Sequence, residues 1–308
     1  MQSELVETIP VSNTLGECVI WDERDHSLWW TDIQERKLYR LLWENRRLSE
    51  FSTPERVASF GLTDIPGTLL VAFETGLALY RPVEASNIVH WIDRFLPING
   101  GVRLNDGRVD RQGRFWVGSM AESDEHRHSG QLYSLDSDGK LKSHLSGIEV
   151  TNSICWSPDS RYLYFADSPS CTIQRYRYDS INGRLSEAEI FARTNPDIFP
   201  DGSDVDACGN LWNAEWNGGR VSCYDSDGKS IYQLQVPVQQ PTCITFGGPN
   251  YDLLFVTTAR YGLRSEELAA QPEAGNLFVY RVQTQGLPAP LFTAHKQFAA
   301  LNLEQLND

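Results

Sequence analysis

The strongest constraint on this chain is a pattern that it repeats. Six segments each give a short strand, a polar turn and a strand rich in apolar or aromatic residues: ECVIWDERDHSLWWTD from Glu17, SFGLTDIPGTLLVAF from Ser59, NDGRVDRQGRFWVGS from Asn105, NSICWSPDSRYLYFAD from Asn152, DGSDVDACGNLWNAE from Asp201 and TCITFGGPNYDLLFVTT from Thr242. Their second-strand residues Trp29, Leu70, Trp116, Tyr164, Trp212 and Phe255 follow one another at intervals of 41, 46, 48, 48 and 43 residues. A lone hairpin cannot cover its own apolar face. Repeats of this length with several strands each indicate a β-propeller, in which every sheet packs on the next. Six units predict an all-β, six-bladed β-propeller formed as a single domain over residues 1–308, with repeats starting near positions 15, 59, 103, 150, 200 and 241.

Each unit then supplies outer strands. Third strands are expected at 37–42, 76–80, 130–135, 172–178, 219–224 and 275–282, and fourth strands at 142–145 and 231–236. The two DSDG stretches, 136–139 and 225–228, lack the further acidic residues of a calcium loop and read as hairpin turns. Asn105-Asp106-Gly107 also reads as a turn signal, with a strand resuming at 108–110. A propeller must close its ring, and the N-terminal stretch 4–9 is expected to pair with the last blade.

Composition excludes several classes. With 27 basic against 41 acidic residues and a net charge of −14, the chain is a poor match for nucleic-acid phosphates. No stretch approaches the roughly 18 apolar residues that cross a bilayer, and the start has neither the basic nor the apolar region of a signal peptide. The expectation is a cytoplasmic protein without a membrane or nucleic-acid partner. Its six cysteines show no C-x-x-C pairing and read as reduced, mostly buried apolar residues. Nothing in the sequence speaks to oligomeric state.

Stepping back four residues from the turns at Trp21, Thr63, Val109, Trp156, Val205 and Phe246 gives Glu17, Ser59, Asn105, Asn152, Asp201 and Thr242, all polar. First strands line a propeller's channel, so these six side chains are expected at one mouth. Polar caps on a water-filled channel are the simpler reading. Convergent carboxylates repel unless a cation joins them, however, and Glu17, Asn152 and Asp201 offer two charges and a carbonyl oxygen, a hard set suited to one divalent ion. Ca²⁺, Mg²⁺ or Mn²⁺ fits best; Zn²⁺ or Fe²⁺ is less suited without His or Cys. The expectation is therefore a propeller with a central metal site.

The ordered motifs LGE at 15–17, RLNDG at 103–107, GSMAE at 118–122, TNSICWSPD at 151–159 and PDGSDVD at 200–206 resemble those of the SMP-30/gluconolactonase/regucalcin family, over roughly residues 15–282. The resemblance implies a six-bladed propeller with one divalent metal, acting on a small-molecule sugar lactone such as gluconolactone, xylonolactone or arabinonolactone. Carried over residue by residue, it puts metal ligands at Glu17, Asn152 and Asp201, and substrate contacts at Arg103, Asn105 and Glu122. Asp201 is then the candidate catalytic base. The chain departs from the family pattern at Val19, where a proline usually follows, and in the polar loop 123–129 with its His126 and His128. Two other classes stay open: a non-catalytic metal- or ligand-binding propeller, and a phosphotriesterase- or arylesterase-like hydrolase. A serine hydrolase is disfavoured, because no G-x-S-x-G elbow occurs. Asp32, Asp167 and Glu215, ending second strands on the same face, are expected to anchor loops. Asp106 is left as a supporting group or part of the turn.

Overall fold

The computed structural model describes residues 2–82 and 88–294; the remainder of the expected 1–308 unit lies outside the described residues. Six antiparallel four-stranded sheets follow one another along the chain. The first contains β2 (Gly16–Asp22), β3 (Ser27–Asp32), β4 (Lys37–Leu42) and β5 (Arg47–Ser52). The second runs from β6 (Val57–Leu62) through β7 (Leu69–Phe73) and β8 (Gly76–Arg81) to β9 (Ile88–Arg94). The third runs from β10 (Val102–Val109) through β11 (Phe115–Ala121) and β12 (Gly130–Leu135) to β13 (Leu141–Ile148). The fourth runs from β14 (Thr151–Trp156) through β15 (Tyr162–Asp167) and β16 (Thr172–Asp179) to β17 (Arg184–Arg193), and the fifth from β18 (Phe199–Val205) through β19 (Leu211–Trp216) and β20 (Arg220–Tyr224) to β21 (Ser230–Gln235). The sixth comprises β22 (Pro241–Gly247), β23 (Leu253–Thr258) and β24 (Leu277–Val282), completed by β1 (Ser3–Ile9) as outermost strand.

The pairing of β1 with β24, from Ser3↔Val282 to Ile9↔Leu277, is the ring closure expected from the sequence. The inner strands pack in a closed circle, β2 on β6, β6 on β10, β10 on β14, β14 on β18, β18 on β22 and β22 on β2. This is a six-bladed β-propeller.

The core lies between blades. Six apolar clusters each join two neighbouring sheets: Trp212 and Phe246 between the fifth and sixth, Trp21 and Phe255 between the sixth and first, Trp116 and Trp156 between the third and fourth, with the other three interfaces built alike. Trp21, Trp116, Trp212, Phe246 and Phe255 are fully buried. Burying such a ring contributes roughly 2–3 kcal/mol. The blade-to-blade faces therefore hold the ring shut and make a rigid frame for its centre.

One local expectation is corrected. Asn105-Asp106-Gly107 is not a turn: β10 runs unbroken from Val102 to Val109, with a bulge between Leu104 and Gly107. A bulge needs the same small and polar residues as a turn, but it re-aims side chains without reversing the chain. The same register shift recurs near the start of every inner strand, between Glu17 and Ile20, Val57 and Ser59, Asn152 and Cys155, Pro200 and Ser203, and Pro241 and Ile244. All six ring positions sit at or beside a bulge.

The far end of the channel carries an ion pair and a crossing segment. Arg108 Nη1 reaches Asp204 Oδ1 at 3.1 Å across it. Beneath them the segment 285–294 crosses the face, held by Gly286 N–H on Tyr251 O and Phe292 N–H on Leu62 O, both 2.8 Å.

Candidate active site

At the open end, Glu17 from β2, Arg103 and Asn105 from β10, Asn152 from β14 and Asp201 from β18 line one cavity of about 530 Å³. Leu15, Met120, Phe199, Trp216 and Tyr261 form its apolar and aromatic walls. The bulges explain the convergence. Cys18 and Ser153, directly after Glu17 and Asn152, have φ of 49° and 63°, a left-handed conformation costly for non-glycine residues and common at functional sites. After Asp201 comes Gly202, where a Cβ would lie 2.6 Å from Cys243 Sγ and 2.8 Å from Cys243 Cα. Only glycine lets β18 approach β22 this closely.

Hydrogen bonds orient the amides. Asn152 Nδ2 donates to Ser168 Oγ at 2.8 Å, and Ser168 donates to Pro200 O at 2.7 Å. Asn105 Nδ2 donates to Thr151 O at 2.9 Å and to Asn152 Oδ1 at 3.3 Å. Asn105 Oδ1 accepts from Arg103 Nη1 at 2.7 Å, which also donates to Leu104 O at 2.9 Å.

The carboxylates are less well served. Glu17 Oε2 accepts only the Cys18 N–H, at 3.2 Å, and Asp201 Oδ1 is buried with no hydrogen-bond partner among the described residues. Burial, and then the nearby Asp106 carboxylate, pushes the Glu17 carboxyl up to about 8 against the pull of the Cys18 N–H and Arg103. Burial, followed by Glu17 and Asp106, raises Asp201 well above the carboxylate range. Two buried carboxyl groups that repel one another when ionised, one with an unbonded oxygen, are an arrangement that a positive charge could stabilise. Glu17, Asn152 and Asp201 present oxygen donors throughout and so fit a hard divalent cation. No cluster of three or more His, Cys, Asp or Glu with metal-site geometry occurs among the described residues; the third donor here is a carboxamide.

The other ring members do different work. Ser59 Oγ donates to Asn105 O at 2.7 Å and Thr242 Oγ1 to Gly16 O at 2.5 Å, so both staple adjacent blades. Asp106 Oδ2 accepts the Ile154 N–H at 3.1 Å, holding β14 to β10 beneath the site. Asp32 accepts the N–H groups of Thr14 and Leu15, and Asp167 those of Glu149 and Val150, as loop anchors. Glu215 instead binds Arg220 Nε and the Tyr224 hydroxyl, at 2.6 and 2.9 Å. The His126 ring lies against Gly101, where a Cβ would clash with it; neither it nor His128 lines the cavity.

Glu122 stands beside the central cavity, in an adjoining hollow of about 330 Å³ lined also by Arg127 and Glu149, which pair at 2.9 Å. Its carboxylate takes Arg56 on both oxygens, at 2.7 and 2.9 Å, and lies 3.3 Å from Arg103 Nε. Burial alone would raise the Glu122 carboxyl; Arg56 and then Arg103 overcome it and hold it below the usual range.

Sequence reasoning missed Arg56, Arg127, Ser168, Trp216 and Tyr261. A signal existed for two of them, since Ser168 and Trp216 directly follow the anchors Asp167 and Glu215 at one repeat offset.

Residues 15–260 match the model of the SMP-30/Gluconolactonase/LRE-like region. The chain is 39% identical to the L-arabinolactonase of Azospirillum brasilense, over 91% of this chain and 92% of that one. It is 33% identical to the 6-deoxy-6-sulfogluconolactonase of Pseudomonas putida, covering 91% and 95% of the two chains. The crystal structure of a calcium-binding protein, regucalcin, from Agrobacterium tumefaciens superimposes with a TM-score of 0.87 at 30% identity, over 94% of this chain and 97% of that one. Matches spanning nearly the whole chain, on a propeller with the same central constellation of polar residues that the repeat requires, give one conclusion: the chain belongs to the SMP-30/gluconolactonase/LRE-like family.

Proposed function

We propose that this chain, as a single propeller domain, hydrolyses a sugar lactone to its aldonic acid with the help of one divalent cation held by Glu17, Asn152 and Asp201. The observation that carries this reading is that two buried acidic side chains, Glu17 and Asp201, line one cavity with Arg103, Asn105 and Asn152, with Asp201 Oδ1 lacking a hydrogen-bond partner among the described residues. The lactonase names of its relatives support the reaction class.

When bound, the cation would polarise the lactone carbonyl and ease deprotonation of the attacking water. Asp201 Oδ1, which no group of the fold occupies, takes the water proton. The water oxygen adds to the carbonyl carbon, the bond from that carbon to the ring oxygen breaks, and the ring oxygen leaves as a hydroxyl by taking back the proton that Asp201 accepted. Asn152, with its Nδ2 donating to Ser168, would offer its Oδ1 as the ligand. Arg103 donates to sugar hydroxyls; Asn105, whose Nδ2 is committed to Thr151 O and Asn152 Oδ1, offers its Oδ1 as an acceptor, and Glu122 accepts from further hydroxyls at the edge of the cavity. Trp216, Phe199 and Tyr261 cover the sugar's apolar face and limit access of bulk water.

The test is turnover of a panel of pentono- and hexonolactones, with and without a chelator, beside aryl esters and organophosphates. Chelator-sensitive hydrolysis of the sugar lactones is the expected result. Faster turnover of aryl esters or phosphotriesters, or cation binding without hydrolysis of any of these, would overturn it.

A further inference from the structure

Resting on that reading, we propose that Arg56 is a positioning residue for polyhydroxylated substrates: its guanidinium sets where Glu122 stands and thereby keeps Arg103 free for the sugar. Arg56 lies between β5 and β6, in a neighbouring blade and at no repeated offset.

Two carboxylates share its fork. Nε and Nη2 donate to Glu74 Oε2 at 2.8 and 2.5 Å, while Nη1 and Nη2 donate to the two oxygens of Glu122 at 2.7 and 2.9 Å. The side chains of Arg56 and Glu74 are only 17% and 6% exposed, so this end of the bridge is built into the fold. The backbone fixes it further: Glu74 N–H donates to Arg56 O at 2.9 Å, and Glu74 O accepts the Leu104 N–H, next to Arg103, at 3.2 Å. The parallel pair of bonds orients the plane of the Glu122 carboxylate, which retains lone pairs for other donors.

The competition between two arginines gives this bridge its consequence. Arg103 Nε forms an ion pair with Glu122 Oε1 at 3.3 Å but, unlike Arg56, makes no hydrogen bond to it, and the charges of Glu74, Arg56, Glu122 and Arg103 cancel. Without Arg56, Glu122 would close on Arg103 and occupy the fork that the reading above assigns to substrate hydroxyls. Lysine cannot substitute, since a point charge on a flexible stem does not hold two carboxylates in fixed planes.

The experiment compares Arg56→Ala, Glu122→Gln and the double variant, with Arg56→Lys where Arg56→Ala fails to fold. Arg56→Ala should raise KM for a hydroxylated pentonolactone about tenfold with kcat within about threefold, and leave an unsubstituted γ-lactone unaffected. The double variant should be no worse than Glu122→Gln alone. Effects that multiply in the double variant, or an equal loss on the unsubstituted lactone, would overturn the proposal. A second arm titrates a pentitol, which has hydroxyls but no hydrolysable bond, by calorimetry. If wild type binds it and Arg56→Ala weakens binding only while Glu122 is present, the inference stands even where no lactone is turned over. A wild type that neither hydrolyses lactones nor binds the pentitol removes both.

Discussion

Replacing Arg103 by alanine should separate substrates by their hydroxyl groups. Arg103 is 5% exposed, with Nη1 committed to Asn105 and Leu104 and Nη2 making no hydrogen bond among the described residues. That nitrogen carries two N–H groups, and Arg103 lines a cavity of about 530 Å³. A hydrogen bond from a charged donor contributes about 1.5–3 kcal/mol, so losing one or two to the substrate should lower kcat/KM on a sugar lactone roughly 10²- to 10³-fold. Asn105 keeps its bonds to Thr151 and Asn152, so the cation ligands should stay in place. An unsubstituted γ-lactone, which never makes the lost bonds, should therefore fall by less than about tenfold. Steady-state kinetics on both substrates with both proteins measure the ratio. An equal fall on the two would refute the reasoning, because Arg103 would then serve the frame or the cation ligands and not the sugar.

Asp201→Asn should reduce turnover on the order of 10²- to 10⁴-fold, since it removes the assigned base and a ligand charge; near-normal turnover with normal cation affinity by calorimetry would move the base elsewhere. Asp110, fully buried, accepts from Gln112 N, Arg114 N, Arg114 Nη1, Trp116 Nε1 and the Tyr178 hydroxyl. Asp110→Asn should cost about 3 kcal/mol and lower Tm by roughly 5 °C, because its amide nitrogen meets donors; an unchanged melting curve would contradict this. His144, stacked on Trp116 with ring centroids 4.3 Å apart and bonded to Ser134, has its pKa lowered to about 4, first by burial and then by Lys142, with Arg114 adding and Asp136 opposing. The unfolded chain takes up this proton near pH 6.5 and the folded one near 4, so stability should be full above about 6.5 and decline as pH falls to about 4. Urea midpoints for wild type and His144→Gln should diverge in that window, and parallel curves would refute it.

What could be read from residues alone was whatever repeats at short range. The hairpins V-D-x-x-G-x-x-W at 109–116 and 205–212 carry their own bonds, with Asp110 and Asp206 each accepting the indole N–H six residues on, at 3.1 Å. Such contacts form within one turn whatever surrounds them, so the strands, the blade number and the ring positions Glu17, Asn105, Asn152 and Asp201 were legible. The tertiary structure alone decided which ring members face the cavity and which become staples. Ser59 and Thr242 share the offset of Asn105 and Asp201, yet their short hydroxyls find a neighbouring blade's carbonyl before they reach the mouth. It also turned Asn-Asp-Gly into a bulge, because β10 is hydrogen-bonded to β11 on both sides of it. Arg56 and Glu122, 66 residues apart, meet only once two blades are packed side by side. Their pairing depends on the distance between adjacent blades, which the buried aromatic faces set and no local motif encodes.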